Sequence, residues 1–319
     1  MQTMEEITEY HRNHRFVLPK SGQTIIGPQT GTRYLIGDQF DAGGYGHIYF
    51  CTDEWGHELV AKVLMPLGDQ QEMQQRAEAE FVAASIARSP YIVQVAEAFV
   101  CHGAYYIISE RCSFSLRRMF EDPGFNLPVW FQPLARALLH ALHFMHTREL
   151  THGDVHAGNI LLHRKPDILV PNEQSATEFK LGDSGQARSI AEARAQDSWH
   201  PGCIPPEVLD ANEYGPVDYR ADIYQAGLLL LNLLAGSELE FDQDDILAGR
   251  PRALAETLPH PAANAIASML RRHAQFRIPS ALDAWRAIDA SLNASLFNSQ
   301  PVAIQTNRRR KRSRKAATS

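Results

Sequence analysis

His152-Gly-Asp-Val-His-Ala-Gly-Asn159 runs straight into the apolar Ile160-Leu-Leu162, and the rest of the chain is read outward from this stretch. A carboxylate, Asp154, and a carboxamide, Asn159, stand on one loop ahead of a strand-like segment. Such a loop can serve a hydroxyl nucleophile and a metal ion together. Further on, Phe179-Lys-Leu-Gly-Asp183-Ser-Gly185 sets a second aspartate after another strand-like run. A carboxylate plus an amide oxygen suits Mg²⁺, a hard cation that keeps several waters and binds beside substrate phosphates. Either loop alone reads equally well as a solvated turn with an Asx hydrogen bond. Both together, in this order, make that reading a poor one.

Upstream the pattern is β-rich. Tyr34-Leu-Ile36, Ile48-Tyr-Phe-Cys-Thr52 and Leu59-Val-Ala-Lys-Val-Leu64 are short apolar runs joined by turn residues, which predicts an antiparallel meander. Between the first two lies Asp41-Ala-Gly-Gly-Tyr-Gly-His-Ile48, whose glycines let backbone amides approach a polyanion. Taken alone it is more often just a turn. Lys62, inside an apolar strand, calls for an anionic partner or an edge position from which it reaches water. Glu80 is a candidate partner, on a segment (70–88) with helical spacing. Two more strand-like pieces follow, around Tyr91–Val100 and Tyr105–Ser109.

Downstream the period changes. Leu134, Leu138, Leu142 and Met145 form an apolar stripe at helical spacing within Phe131–His146. Residues 218–235, 261–273 and 281–292 read as further helices. A β-rich start and an α-rich end predict an α+β protein with two unlike lobes.

With these motifs in this order, the chain resembles the eukaryotic-type protein kinase family over about residues 33–292. The resemblance implies a two-lobed kinase-like fold: a β-rich N-lobe with one main helix (33–109), a hinge (110–113) and an α-rich C-lobe (114–292). An extension (1–32) would precede it, and a linker with a basic disordered tail (293–319) would follow. It implies a catalytic set of Asp154, Lys62, Glu80 and His156. Nucleotide would be bound by Gly43, Gly44, Gly46, Ile48, Val60 and Lys62, and by the hinge residues Glu110 and Cys112. Asn159 and Asp183 would hold Mg²⁺, with Mn²⁺ as a substitute. The cosubstrate would be ATP, and the acceptor a Ser or Thr hydroxyl of a protein. Pro205-Pro-Glu207, Asp222 with Gly227, and Arg277 resemble the C-lobe set in which a buried Glu pairs with an Arg. Simple small-molecule phosphotransferases generally lack that set.

Several positions depart from the family pattern. Asp41 replaces the first glycine of the loop, which puts a carboxylate near the phosphates unless it points outward. Gly153 replaces the Arg that grips a phosphorylated activation loop, so activity is expected not to depend on phosphorylation at Ser184, Ser189 or Ser198. His156 replaces a lysine, and Ser184 replaces the Phe of Asp-Phe-Gly. His200, Pro201 and Cys203 occupy the substrate-facing stretch. The His-Gly-Asp-x-His-x-Gly-Asn loop also resembles aminoglycoside and choline phosphotransferases, which gives an alternative acceptor class. A catalytically silent binding module on the kinase fold is the other alternative.

Composition bounds the remainder. With 44% hydrophobic and 21% charged residues the 319-residue chain is of ordinary globular make-up. The N-terminus has no apolar run of a signal peptide, and no stretch reaches the ~18 apolar residues of a membrane span. The four cysteines include no CxxC pair, which fits free thiols in a reducing compartment and a cytoplasmic location. The net charge of −6 is a sum of unlike parts: Arg308–Lys315 carries seven basic residues, leaving 24 basic against 37 acidic elsewhere. The tail lacks an apolar face to bury. It reads as a solvated charge run, as a nuclear-import address for an import receptor, or as a contact for nucleic acid or an anionic membrane surface.

Overall fold

The computed structural model describes residues 17–43, 46–64, 89–165, 176–183, 187–190, 192 and 199–298. The first lobe is one antiparallel six-stranded sheet. Its strands are β1 (Thr24–Ile26), β2 (Arg33–Gly43), β3 (Gly46–Asp53), β4 (Glu58–Leu64), β5 (Val95–Cys101) and β6 (Ala104–Glu110). They lie in the order β1-β2-β3-β4-β6-β5. Period-two alternation gives the sheet two faces. Leu59, Ala61 and Val63 of β4 bury with Ile36, Tyr49, Tyr106 and Ile108 in one cluster. Val60 and Lys62 take the opposite face. Ile48 is registered against Lys62, which is registered against Ile107, and Val60 is registered against Ser109. The meander expected from sequence is therefore present, with Lys62 on the face turned away from that cluster.

The segment before Arg33 contributes more than an extension. β1 pairs with β2 through Ile25↔Tyr34. Buried Glu97 ties it down, accepting from the amide of Gln29 (2.9 Å), Thr30 Oγ1 (2.7 Å) and Tyr34 Oη (3.0 Å). The helix read over residues 70–88, with Glu80, lies outside the described residues.

The second lobe is helical. Its helices are α1 (Leu116–Glu121), α2 (Phe131–His146), α3 (Arg220–Ala235), α4 (Gln243–Ala248), α5 (Arg250–Thr257), α6 (Ala263–Met269) and α7 (Ala281–Asn298), with single helical turns at Pro206–Leu209 and Ala211–Tyr214. The stripe on α2 packs as its spacing predicts: Leu134, Leu138, Leu142 and Met145 are all buried. Each such Leu contributes about 2 kcal/mol. α3 is buried nearly all round, and its buried residues include the polar Asp222 and Gln225. α7 runs on to Asn298, past the end read from sequence.

Small sheets hold the loops between the lobes. β7 (Phe114–Ser115), β9 (Ile160–Lys165) and β10 (Ala176–Leu181) form one, and β8 (Leu150–Thr151) pairs with β11 (Arg188–Ser189) in another. The loop bearing Asp154 thus hangs between β8 and β9, and Asp183 follows β10. The Val93 amide donates to Leu181 O (2.9 Å) and the Leu181 amide to Tyr91 O (2.8 Å), which tethers the chain entering β5 to this region. Among the described residues no helix is long and apolar enough to cross a membrane.

Candidate active site

The backbone of the loop 152–159 is held from beneath by α3. Buried Asp222 accepts the Gly153 amide on Oδ1 (2.8 Å) and the His152 amide on Oδ2 (2.9 Å). His146 Nε2 of α2 stands 2.9 Å from the same Oδ2. Gln225 Oε1, one turn on, accepts the Val155 amide (3.0 Å). Burial alone would raise the pKa of Asp222; the His146 hydrogen bond, the nearby His152 ring and the Gly153 amide hold it below the usual carboxylate range. Gly153 itself sits at φ 77°, a left-handed conformation that a residue with a Cβ adopts only with strain.

From this base the functional groups converge. Asn159 Nδ2 donates to the carbonyl (2.9 Å) and to Oδ2 (3.1 Å) of Asp154. Its nitrogen is thereby engaged, and its amide oxygen is the atom left to offer a cation. His152 is buried: its Nδ1 faces the Asp154 amide (3.3 Å) and its Nε2 the Gly182 carbonyl (3.0 Å). An amide only donates and a carbonyl only accepts, so the His152 proton resides on Nε2. The Gly182 amide closes the link by donating to Asn159 O (2.8 Å). The next residue, Asp183, takes φ 54° and turns its carboxylate to Lys62, whose Nζ lies 2.6 Å from Oδ1. A lysine from the sheet and an aspartate 121 residues later thus meet in one ion pair.

Asp154 is partly buried, which by itself pushes its carboxyl up. The nearby ring of His156, with that of His152, outweighs this and lowers the pKa, so the group is ionised at neutral pH. His156 Nε2 lies 3.5 Å from Asp154 Oδ2, and its Nδ1 accepts the Gly158 amide at 3.0 Å. The amide must find a lone pair, so the His156 proton points from Nε2 toward the carboxylate. Carboxylate and amide oxygens at Asp183 and Asn159 are the hard donors that Mg²⁺ or Mn²⁺ prefers, so these residues fit such a cation.

The other residues singled out from sequence fall as follows. Gly43 and Gly46 are registered opposite one another at the β2–β3 hairpin, and Gly44 lies outside the described residues. Gly46 has a packing reason of its own: a Cβ there would stand 2.7 Å from the Val63 carbonyl oxygen. Asp41 is exposed, and its Oδ1 accepts the Ala42 amide (2.8 Å). Ile48 and Val60 share the face of Lys62. Glu110 engages its side chain with Lys180 Nζ (2.6 Å) and the Gln94 amide (2.8 Å). Burial pushes the Cys112 thiol up to about 12. Glu80 and Ser184 are outside the described residues. The groups missed from sequence are His146, Gln225, Lys180, Arg117 and the contacts of His200. Gln225 carried a signal: with Asp222 it makes a polar pair at helical spacing in a helix rich in apolar residues.

Comparison with known proteins decides the family. The model of the protein kinase domain matches residues 34–277. The chain belongs to the protein kinase family. The matched span of this kinase domain includes the sheet from Tyr34 of β2 onward, the loop at Asp154, the Lys62–Asp183 pair and the helices down to Arg277. Curated relatives include human serine/threonine-protein kinase 10, 28% identical over 234 residues, covering 70% of this chain and 22% of that protein. Rat serine/threonine-protein kinase PLK2 is 26% identical over 278 residues, covering 81% and 38% respectively. The probable serine/threonine-protein kinase zyg-1 of Caenorhabditis elegans is 28% identical over 217 residues, covering 66% and 29%. The kinase domain therefore spans well under half the length of each of these relatives.

Proposed function

We propose that this kinase domain transfers the γ-phosphoryl group of ATP to Ser or Thr hydroxyls of protein substrates. The observation that carries the reading is the Lys62–Asp183 pair at 2.6 Å, set beside a loop that joins Asp154 to Asn159. Lys62 Nζ binds the α- and β-phosphate oxygens. Gly43, Gly44 and Gly46 cover the phosphates, Ile48 and Val60 pack on the adenine, and the backbone of Glu110 and Cys112 reads its edge. Glu80 steadies Lys62. Asn159 and Asp183 would hold Mg²⁺ or Mn²⁺, which when bound neutralises charge on the phosphate oxygens.

The acceptor hydroxyl is oriented by Asp154. Its oxygen forms the new bond to the γ-phosphorus as the bond to the β,γ-bridging oxygen breaks, its proton passes to Asp154, and ADP leaves. The lowered pKa of Asp154 supports this role, because the carboxylate is ionised before it receives the proton. Most of the acceleration is positioning and charge stabilisation. His156 adds an N–H donor at the same centre. The serine/threonine kinases among the relatives, and the Glu207–Arg277 pair of the second lobe, favour a protein acceptor over a small molecule.

We assign the kinase N-lobe to 33–109, with β1 of the preceding segment added to its sheet, the hinge to 110–113 and the helical lobe to 114–292. With glycine at 153 the loop offers no guanidinium to a phosphorylated segment, so activity is independent of activation-loop phosphorylation. Replacing Ser184, Ser189 and Ser198 together by Ala then leaves transfer intact. The basic run Arg308–Lys315 acts as a separate address for an import receptor, nucleic acid or an anionic surface, on a protein otherwise cytoplasmic. Deleting residues 307–319 changes location and not turnover.

Incubating the chain with labelled ATP, Mg²⁺ and a protein mixture, with Asp154→Ala as control, tests the assignment. Label on Ser or Thr of protein, lost in the control, is the expected result. ATP consumption that needs an added metabolite, or nucleotide binding without turnover, overturns it.

A further inference from the structure

The ring of His156 is seated from two sides. Along one edge runs Gly158: a Cβ there would stand 2.7 Å from His156 Cε1, so only glycine admits the ring where it lies. Over its face lies the imidazole of His200, with ring centroids 4.2 Å apart and an interplanar angle of 28°. His200 precedes the short turn Pro201–Cys203, on the segment leading to Pro205-Pro-Glu207.

His200 is held in turn. Arg117 Nη2 of α1 lies 3.3 Å from its Nε2, and the Gly202 amide 3.4 Å from its Nδ1. Guanidinium and amide groups only donate; a neutral imidazole offers one lone pair, so one of these contacts is met in the neutral form, and a protonated imidazole, which has none, meets neither. Both neighbours therefore favour the neutral form. Burial, then the charge of His156 and of Arg117, lowers its pKa in the same direction, against the opposing pull of Asp154. A neutral His200 ring can stack on His156 where a second cation would be repelled.

The stack matters because the contact it supports is loose. His156 Nε2 is 3.5 Å from Asp154 Oδ2, too long for a hydrogen bond to fix the ring alone. Gly153 contributes no side chain to join the loop to the segment containing His200. Arg117, His156 and His200 also line one cavity of about 620 Å³, beside the carboxylate that would meet the acceptor.

We infer that His200 is a positioning residue: by stacking on His156 it keeps the Nε2–H of that ring on Asp154, and so couples the segment before Pro205 to the reacting carboxylate. This rests on the phosphoryl-transfer reading for its consequence on rate, but the ring geometry can be measured without turnover.

Two measurements test it on the full chain. In His200→Ala, kcat is expected to fall about tenfold with KM for ATP unchanged, since loss of ring position misplaces a group at the reacting centre. In His200→Phe, which keeps an aromatic face and discards both nitrogens, most of kcat returns. By ¹⁵N NMR of the imidazoles, His156 in the native chain shows one bare nitrogen (Nδ1) and one protonated nitrogen (Nε2), and His200→Ala moves the two signals toward a common average. Unchanged His156 signals in His200→Ala overturn the inference, whether or not kcat falls, because a general structural loss could slow turnover without freeing the ring. If the native chain phosphorylates nothing, the transfer reading fails, and the NMR comparison still decides the role of His200.

Discussion

Arg277 and Glu207, 70 residues apart, meet as a two-pronged ion pair in which Nη1 lies 2.6 Å from Oε1 and Nη2 2.8 Å from Oε2. Neither side chain is exposed to solvent. Arg277 also donates to the carbonyls of Arg220 (2.6 Å) and Arg271 (3.0 Å), so its charge and its hydrogens are satisfied from several elements at once. Removing one member leaves the other buried and unpaired. Arg277→Ala and Glu207→Ala are each expected to lower stability by about 3–5 kcal/mol. Urea unfolding of the two variants measures this; a loss under 1 kcal/mol in both would show that the pair is replaceable by water.

Gly153 makes a prediction about backbone alone. At φ 77° it lies where an L-residue is strained, while its amide is fixed by Asp222 Oδ1 at 2.8 Å. Gly153→Ala should therefore destabilise the chain by roughly 1–2 kcal/mol, although no polar contact is removed. Thermal unfolding of the variant provides the measurement, and an unchanged midpoint would mean that the loop relaxes at no cost.

The pattern of what could be read in advance follows from these two cases. Periodic features survived intact: the meander, the stripe of Leu134, Leu138, Leu142 and Met145, and the faces they bury were visible because a residue's side of an element depends only on local spacing. The pairing of Asp154 with Asn159 was also local, five residues along one loop. What required the fold was the meeting of distant groups. Nothing in the order of residues says that Asp183 turns to Lys62, that Asp222 lies under Gly153, or that His200 covers His156. Each depends on how helices and sheets stack over separations of tens of residues. β1 escaped for another reason: three residues, Thr24–Ile26, are too few to show an alternation.

Asp222 gives the chain an acid-sensitive element. Its folded pKa is lowered relative to the unfolded chain, where an aspartate titrates near ~3.9. The stability it contributes is present above that value and is lost as the pH falls through the lower folded pKa. Asp222→Asn should be less stable than the native chain at neutral pH, on the order of 2 kcal/mol. The gap should narrow below pH ~4, as the native carboxylate protonates too. Denaturant midpoints at pH 7 and in the acid range decide this; a gap independent of pH would remove the carboxylate's charge from the account and leave only its shape.

Lys62 and Asp154 should separate binding from transfer. Lys62 lies on the sheet, 18% exposed at its side chain and 2.6 Å from Asp183, so in the proposed reaction its loss would remove the ammonium that meets the phosphates and leave a carboxylate facing them. Lys62→Ala is expected to weaken ATP binding and to lower transfer by at least about 10²-fold. Asp154 sits on the opposite loop and, in the proposed reaction, would meet the acceptor and not the nucleotide. Asp154→Ala should keep ATP binding within about threefold of native, because no ligand group is lost, while transfer falls by about 10²–10⁴-fold with the loss of the group that takes the hydroxyl proton. Asn159 makes the second variant informative in a further way. Its Nδ2 is held at 3.1 Å by the Asp154 carboxylate and at 2.9 Å by the Asp154 carbonyl, and the carbonyl contact survives the substitution. The amide oxygen should then keep its place, and metal-dependent nucleotide binding should persist in Asp154→Ala. Calorimetry of ATP with and without Mg²⁺, alongside the labelled-phosphate assay, reads both quantities. Loss of nucleotide binding in Asp154→Ala, or near-native transfer in either variant, would break the division of labour between the sheet lysine and the loop carboxylate.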